Sequence, residues 1–323
     1  MSRIYLGQEV TFNDESGAIK TTQHGHGGGG TGGTTPTGTT PSGTIVGTSG
    51  HLQIDLIWDS SVASAPSGFT TAVIDAATYI ASQYSTPEMI NIHVGWGEIN
   101  GQAMMAGALG ESSTNGYLTN FATATSHLSA LGYTFTADNE PKTAQFFLSS
   151  AQAKETGLLN AYATGTDGYI GFGSGFNWNF SATTGAAGTG TGAGQYDLQS
   201  TAQHEITEVM GRIEMQGRSI NGVATYTTLD LFNFSSAGHL ELSGGGGYFS
   251  VDNGNTNLGW FNNASAHGGD IADWSSSPGT VGLQSGYQDS FDAFGSSGIN
   301  GEMSQSDLQI VGALGFGGNM FLA

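Results

Sequence analysis

The chain has 323 residues, of which 37% are hydrophobic and only 10% are charged, so it can bury a substantial core beneath a surface of uncharged polar residues. Its 26 acidic and 6 basic residues give a formal charge of -20, which argues against nucleic acid and anionic membrane surfaces as partners. There is no cysteine, which excludes disulfides and thiolate sites, and no apolar run is long enough for membrane insertion.

The first 50 residues lack the composition of a folded domain. Residues 1–23 are predicted as an N-terminal β arm, because Ile4 and Leu6, and then Val10 and Phe12, alternate as in strands. Residues 24–50 are rich in Gly, Thr and Pro and are predicted as a linker. The arm is too short to form its own core, so it must pair with the main domain of its own chain or with a neighbouring molecule.

Residues 51–323 are predicted to form one domain of mixed strands and helices. The predicted elements are strands at 51–58, 89–96 and 169–172, helices at 69–84 and 143–156, a glycine-rich loop at 185–194, and a helix that begins near Tyr196.

The helix after Tyr196 carries the residues that indicate chemistry. His204 and Glu208 lie one turn apart on one helical face, so both can reach one ion, and Glu205 lies beside them. This is a His-Glu-x-x-His zinc helix in which the second His is replaced by Glu208. A zinc ion in an open site activates a water molecule, and a neighbouring carboxylate such as Glu205 can accept its proton as general base. The negative charge of Glu208 predicts a weaker Lewis acid and slow or absent catalysis.

The chain after residue 50 resembles a family of bacterial exported metalloproteases, several of which carry His-Glu-x-x-Glu followed by Val-Met-Gly-Arg. The matching segments include Val-Gly-Trp-Gly-Glu-Ile at 94–99, Gly-Ala-Leu-Gly-Glu-Ser at 107–112, Asp-Gly-Tyr-Ile-Gly-Phe at 167–172 and Gly-Asp-Ile-Ala-Asp-Trp at 269–274. The resemblance implies a zinc-dependent peptidase with a zincin-like fold. A fainter similarity to metzincins lies in Glu208-x-x-Gly211-x-x-Glu214, where the glycine turns the chain toward a third metal ligand.

Glu214 is therefore the first choice for the third ligand, with Asp230 and His239 behind it. So many carboxylates around one histidine suit a harder cation than zinc, so calcium is kept as an alternative. Asp270 and Asp273 are interpreted as turn-capping residues in preference to calcium ligands. Arg212 is expected to pair with a nearby carboxylate, with Glu208 and Glu214 among the candidates.

The predicted fold class is α+β: a zincin-like mixed twisted sheet with an active-site helix and glycine-rich loops, preceded by the extended arm. The favoured function is that of an exported metal-dependent peptidase acting on a protein or peptide substrate. The alternative is an extracellular filament or surface-layer subunit, assembled as a homopolymer by strand donation from the arm. A third hypothesis, a glycan-binding adhesin, has no localised motif.

We expect an extracellular or cell-surface location in a bacterium. Residues 1–6 lack the apolar stretch of a signal peptide, so export would use another route. The apolar tail at residues 318–323 is either a C-terminal export signal or a buried terminal strand.

Overall fold

The computed structural model describes residues 9–13, 18–22, 43–181 and 189–317. Over these ranges the chain folds into a large mixed sheet, several small sheets and six α-helices, which confirms a mixed α/β architecture consistent with the α+β class. None of the helices in these ranges combines the length and the apolar character that crossing a membrane requires.

Ten strands form the large sheet. They are β1 (Glu9–Asn13), β2 (Ala18–Thr22), β3 (Gly43–Gly47), β4 (Gln53–Trp58), β5 (Met89–Trp96), β8 (Gly110–Asn120), β9 (Gln145–Ser149), β10 (Gly168–Phe172), β13 (Ser219–Ile220) and β14 (Val223–Tyr226). Eight of them follow the order β13-β14-β9-β8-β10-β5-β4-β3, while β1 pairs with β8 and β2 pairs with β1. Strand β5 is parallel to β4 and β10, whereas β8 is antiparallel to β9 and β10.

Short strands form the small sheets and lie in the connections. They are β6 (Glu98–Ile99), β7 (Gln102–Ala103), β11 (Trp178–Asn179), β12 (Tyr196–Asp197), β15 (Asn233–Ser236), β16 (His239–Leu240), β17 (Gly247–Phe249), β18 (Trp260–Phe261), β19 (Gln288–Asp289) and β20 (Gly301–Glu302). The helices are α1 (Phe69–Gln83), α2 (Phe121–Ala130), α3 (Ser150–Glu155), α4 (Leu198–Val209), α5 (Ala264–His267) and α6 (Gln305–Ala313), with 3-10 turns at Ser60–Ser64 and Leu229–Phe232.

The main core lies between the sheet and the pair of helices α1 and α4. Helix α1 packs on β3 and β4, α4 packs on β8 and β10, and the two helices contact each other. Both helices place their apolar residues on the buried side, as Ile80 and Ile206 illustrate. The packing of α4 against β8 fixes the helix that carries His204 relative to the strand that begins at Gly110.

The described part of the N-terminal arm is a hairpin docked on the main domain. Strand β1 pairs antiparallel with residues 113–117 of β8, and Thr11 Oγ1 donates a 2.7 Å hydrogen bond to Asn115 Oδ1. Val10 and Phe12 are fully buried in a small apolar cluster with Phe147 and Ile213. The predicted alternation at Val10 and Phe12 is confirmed, while Ile4 and Leu6 lie outside the described residues.

Two predicted elements need correction. Most of the predicted linker, residues 24–42, lies outside the described residues, but Gly43–Gly47 pairs with β4 as an edge strand. The predicted helix at 143–156 is wrong in its first half, because Gln145–Ser149 is strand β9 and only Ser150–Glu155 is helical. The predicted glycine-rich loop is described only at its end, and the tail at 318–323 lies outside the described residues.

Candidate metal centre

Helix α4 begins and ends with recognisable caps. The Asp197 side chain accepts a 3.3 Å hydrogen bond from the backbone N–H of Ser200 at the start of the helix. At its end, the N–H of Gly211 bonds to the carbonyl of Glu208 and the N–H of Arg212 bonds to the carbonyl of Thr207, which is a Schellman motif. Gly211 has φ +113°, a conformation that favours glycine, so the helix stops directly after the turn that holds His204 and Glu208.

His204, Glu208 and Asp273 lie together at one point beside α4. His204 Nε2 is 3.1 Å from Glu208 Oε1 and 3.3 Å from Asp273 Oδ1. One ligand atom from each of the three residues lies within 4.8 Å of the other two. Glu208 and Asp273 are buried and His204 is nearly so. This group could hold a metal ion.

The imidazole of His204 is held in the tautomer that a metal ligand needs. Its Nδ1 is 2.9 Å from the carbonyl oxygen of Ser290, so Nδ1–H donates there and Nε2 is left to face the two carboxylates. The ring also stacks on Phe291, with the centroids 4.4 Å apart and the planes 16° from parallel. The 290–291 segment therefore fixes both the orientation and the protonation of this side chain.

Asp273 reaches the site because its neighbour Trp274 is anchored on both sides. Trp274 bridges Phe261 in an antiparallel pair and Asp292 in a parallel pair. Its ring stacks on Phe261 with centroids 5.0 Å apart, and its Nε1 donates a 2.8 Å hydrogen bond to Asp307. The backbone at Asp273 is thus held rigidly, 65 residues beyond Glu208 in the sequence.

Arg212 supports the centre from behind Phe291. The guanidinium carbon is 3.2 Å from the centroid of the Phe291 ring, which also stacks on His204. Arg212 is fully buried and pairs with Asp307, which accepts from its Nη1. The expectation of a carboxylate partner is confirmed, and the partner is Asp307 in place of the candidates Glu208 and Glu214.

The donor set fits a divalent cation. Burial alone lowers the pKa of His204, but the Asp273 and Glu208 carboxylates together raise it by more. The pKa of His204 therefore lies well above its usual value. Burial also raises the pKa of Asp273 well above its usual range, because its charged form is costly here. A tetrahedral zinc site with bonds of about 2.0–2.2 Å needs ligand atoms about 3.3–3.5 Å apart, which is close to the two separations at Nε2. A bound cation would replace the proton that His204, Glu208 and Asp273 share in the metal-free protein.

Glu205 lies beside the triad and lines an open cleft of about 390 Å³. A Cβ atom at Gly110 would lie 2.1 Å from Glu205 Oε1, so the carboxylate occupies space that only a glycine leaves free. The remaining walls come from residues 105–109, 269–273 and 288–295, with Phe176 and Tyr196 at one side. The helix thus directs His204 and Glu205 toward the same cavity.

The predicted third ligand Glu214 is not part of this group. Its carboxylate is fully buried and accepts hydrogen bonds of 3.0 and 3.2 Å from Asn233 Nδ2. Gly211 does turn the chain, but the turn leads Glu214 inward, where burial and the nearby Asp230 raise its pKa well above the usual range. In the described chain the third member of the group is Asp273.

The two reserve candidates lie elsewhere too. Asp230 accepts hydrogen bonds from the backbone N–H groups of Met215 and Thr227. His239 is exposed and its Nδ1 is 2.6 Å from Asp138. From sequence, Asp273 is interpreted as a turn cap. The signal that could identify it is its place in the Gly-Asp-Ile-Ala-Asp-Trp segment, one of the segments that carry the family resemblance.

Comparison of the chain with protein families, with curated proteins and with solved structures finds no match in any of the three.

Proposed function

We propose that the protein is an exported metal-dependent peptidase with a zincin-like fold. The observation that carries the proposal is the convergence of His204, Glu208 and Asp273 beside Glu205 at the wall of an open cleft. Support also comes from the position of α4, which is packed on a mixed sheet and carries the His-Glu-x-x-Glu pattern. The resemblance to bacterial exported metalloproteases points in the same direction.

The metal we propose is zinc, held by His204 Nε2 and one carboxylate oxygen each from Glu208 and Asp273. A zinc ion bound there would polarise a substrate carbonyl and lower the pKa of a water molecule. Calcium is the alternative, but it usually takes six or more oxygen ligands, and an imidazole nitrogen suits zinc better.

Glu205 is the proposed general base. Glu205 lies on the ligand helix itself and lines the cleft, and Gly110 leaves room for its carboxylate there. In this position it would take the proton of the attacking water and pass it to the leaving amine. Two carboxylate ligands add negative charge around the cation, so we expect turnover to be slow.

The first experiment measures metal content and hydrolysis together. We expect about one zinc per chain in the purified protein by elemental analysis, and loss of that zinc in His204→Ala. Glu205→Gln should keep the metal and lose hydrolysis of a peptide library by about 10²-fold or more. Absence of metal even after added zinc, or unchanged hydrolysis in Glu205→Gln, would overturn the proposal.

A second candidate function is a subunit of an extracellular filament that assembles by strand donation. The observation in its favour is the docking of β1 on β8, which buries Val10 and Phe12. About 20 residues separate β2 from β3, and a stretch of this length can span roughly 65 Å when extended. The same hairpin could therefore occupy β8 of a neighbouring copy.

Because the chain has no cysteine, cross-linking can separate the two modes of docking. Thr11 and Asn115 face each other across the β1–β8 pair, so Thr11→Cys with Asn115→Cys should form a disulfide on oxidation. Strand donation predicts a ladder of covalent oligomers on a denaturing gel, whereas docking within one chain gives a cross-linked monomer. Each single cysteine variant serves as the control for random coupling.

A further inference from the structure

The cleft beside the metal centre is acidic. Glu205, Asp270, Asp273 and Asp292 line it, and no Lys or Arg of the described chain does so. The proposed chemistry uses Glu205 and Asp273, which leaves Asp270 and Asp292 as carboxyl groups without a role in it. A cleft of this kind attracts a cationic partner more strongly than a neutral one.

Asp292 is the carboxyl group of the cleft on which the proposal rests. Its Oδ1 is shielded from solvent and has no hydrogen-bond partner among the described residues. Burial, together with the nearby Asp307, raises the pKa of Asp292 to about 7. A cationic group beside Asp292 would therefore stabilise its ionised form.

An apolar side chain lies two residues from Asp292 in the sequence and lines the same cleft. The Phe294 side chain lines the same cleft and is 57% exposed, which is unusual for a large aromatic residue. A Cβ atom at Gly269 would lie 3.3 Å from Phe294 Cζ, so the ring rests on the wall that leads to Asp273. An aliphatic stem that ends in a positive charge suits a site with an aromatic face and a carboxylate.

We propose that this cleft selects peptides with a lysine or arginine side chain, whose charged end lies at Asp292 and whose aliphatic stem lies on Phe294. The proposal names a substrate class for the metal centre and thus rests on the proposed peptidase function. Asp292 would act as a specificity-determining residue, separate from the metal ligands and from Glu205.

The test uses four fluorescent peptides that differ only in a central Lys, Arg, Met or Glu. Their binding to the zinc-loaded full-length Glu205→Gln variant is measured by anisotropy at low and high salt, and their cleavage by the unmodified protein is followed by mass spectrometry. We expect Lys and Arg peptides to bind about tenfold more tightly than the Met peptide. Adding Asp292→Asn should remove most of this difference, and Asp292→Lys should favour the Glu peptide.

A matched control separates the site from the overall charge of the chain. Asp138→Asn also replaces one carboxyl group by an amide, but Asp138 is 75% exposed and pairs with His239 outside the cleft. Equal losses in the Asp138 and Asp292 variants, or equal binding of all four peptides, would overturn the proposal.

The outcomes also distinguish the inference from the function on which it rests. A Lys and Arg preference that depends on Asp292, without cleavage of any peptide, would support the binding site and count against the peptidase. Cleavage without such a preference would support the peptidase and overturn the selectivity.

Discussion

At the residue scale, the contact between Glu205 and Gly110 offers a way to disturb the proposed general base without changing a proposed metal ligand. A methyl group at Gly110 would meet Glu205 Oε1 at 2.1 Å and Thr201 Cγ2 at 2.8 Å, so the carboxylate must move. We predict that Gly110→Ala lowers kcat/KM by about 10²-fold, since a shift of about 1 Å in a catalytic group has that effect. Zinc content should not change, because the three atoms nearest to this methyl group belong to Glu205 and Thr201 and not to the proposed ligands.

Gly175→Ala is the matched control for this prediction. A Cβ at Gly175 meets no atom within 4 Å and its φ is not in the left-handed region, so the substitution is tolerated sterically. Peptidase kinetics and elemental analysis of both variants provide the measurement. Equal kcat/KM for the two variants would show that Glu205 does not depend on the space at Gly110.

Some residues of the candidate site can be placed from sequence and others cannot. His204 and Glu208 could be placed together because the helical repeat alone brings residues one turn apart to one face, and Glu205 lies beside them in the sequence. Asp273 could not, because its position depends on the pairing of Trp274 with Phe261 and Asp292, which no local pattern encodes. The position of Glu214 could not be predicted either, because its buried hydrogen bonds join it to Asn233 of the later strand β15.

At the element scale, the end of α4 determines where Arg212 enters the core. The left-handed Gly211 closes the helix, and the next residue lies under Phe291 and pairs with Asp307. A Cβ at Gly211 would lie 2.6 Å from Gln152 Oε1, whose amide donates to Thr228 and to the carbonyl of Leu314. We predict that Gly211→Ala lowers the free energy of unfolding by about 2–4 kcal/mol, from backbone strain and displacement of Gln152.

Gly222→Ala separates the two causes. Gly222 also has a positive φ, +77°, but its Cβ would meet nothing within 4 Å, so only the backbone strain of about 1 kcal/mol remains. Urea unfolding of both variants gives the comparison, and zinc titration should show weaker binding in Gly211→Ala alone. An equal loss of unfolding free energy in the two variants would mean that the contact with Gln152 does not contribute to the effect of Gly211→Ala.

Helices and strands could be predicted from sequence where their apolar residues follow a single repeat, either alternating or helical. The apolar alternation at Ile90, Ile92, Val94 and Trp96 and the helical spacing of apolar residues in α1 predict both elements correctly, although β5 is buried at nearly every position. The error at residues 143–156 arose where Phe146, Phe147 and Leu148 form a continuous buried run that fits either class of element. The true start of α3 is marked by the capping box of Ser149 and Gln152, a local signal that the prediction did not use.

At the scale of the whole molecule, many carboxyl groups are buried in a chain of net charge -20. Burial raises the pKa of Glu88, Glu155, Asp167, Asp197, Glu214, Asp230, Asp289 and Asp292, in several cases with a second carboxylate adding to the effect. Each such group binds a proton more readily in the folded state than in the unfolded state. The metal-free protein should therefore be more stable in mild acid than at alkaline pH.

Glu88 allows this expectation to be tested at one position. Its side chain is fully buried without a hydrogen-bond partner for either oxygen in the described structure, near the buried pair of Lys154 and Asp167. Burial, with Glu155 adding, raises its pKa to about 9 from 4.5. Between these values the folded state holds a proton that the unfolded state lacks, so its stabilising contribution is complete below pH 4.5 and is lost as the pH rises to 9.

We predict that this loss disappears in Glu88→Gln, which cannot titrate. The free energy of unfolding of the unmodified protein should fall relative to that of Glu88→Gln by up to about 1.4 kcal/mol per pH unit between pH 5 and pH 9. Urea unfolding in the presence of a chelator measures the difference at each pH, and Asp138→Asn, an exposed position, should show no such trend. A difference that does not change with pH would show that Glu88 is ionised in the folded protein, held by Lys154, and that burial is not the dominant influence on its charge.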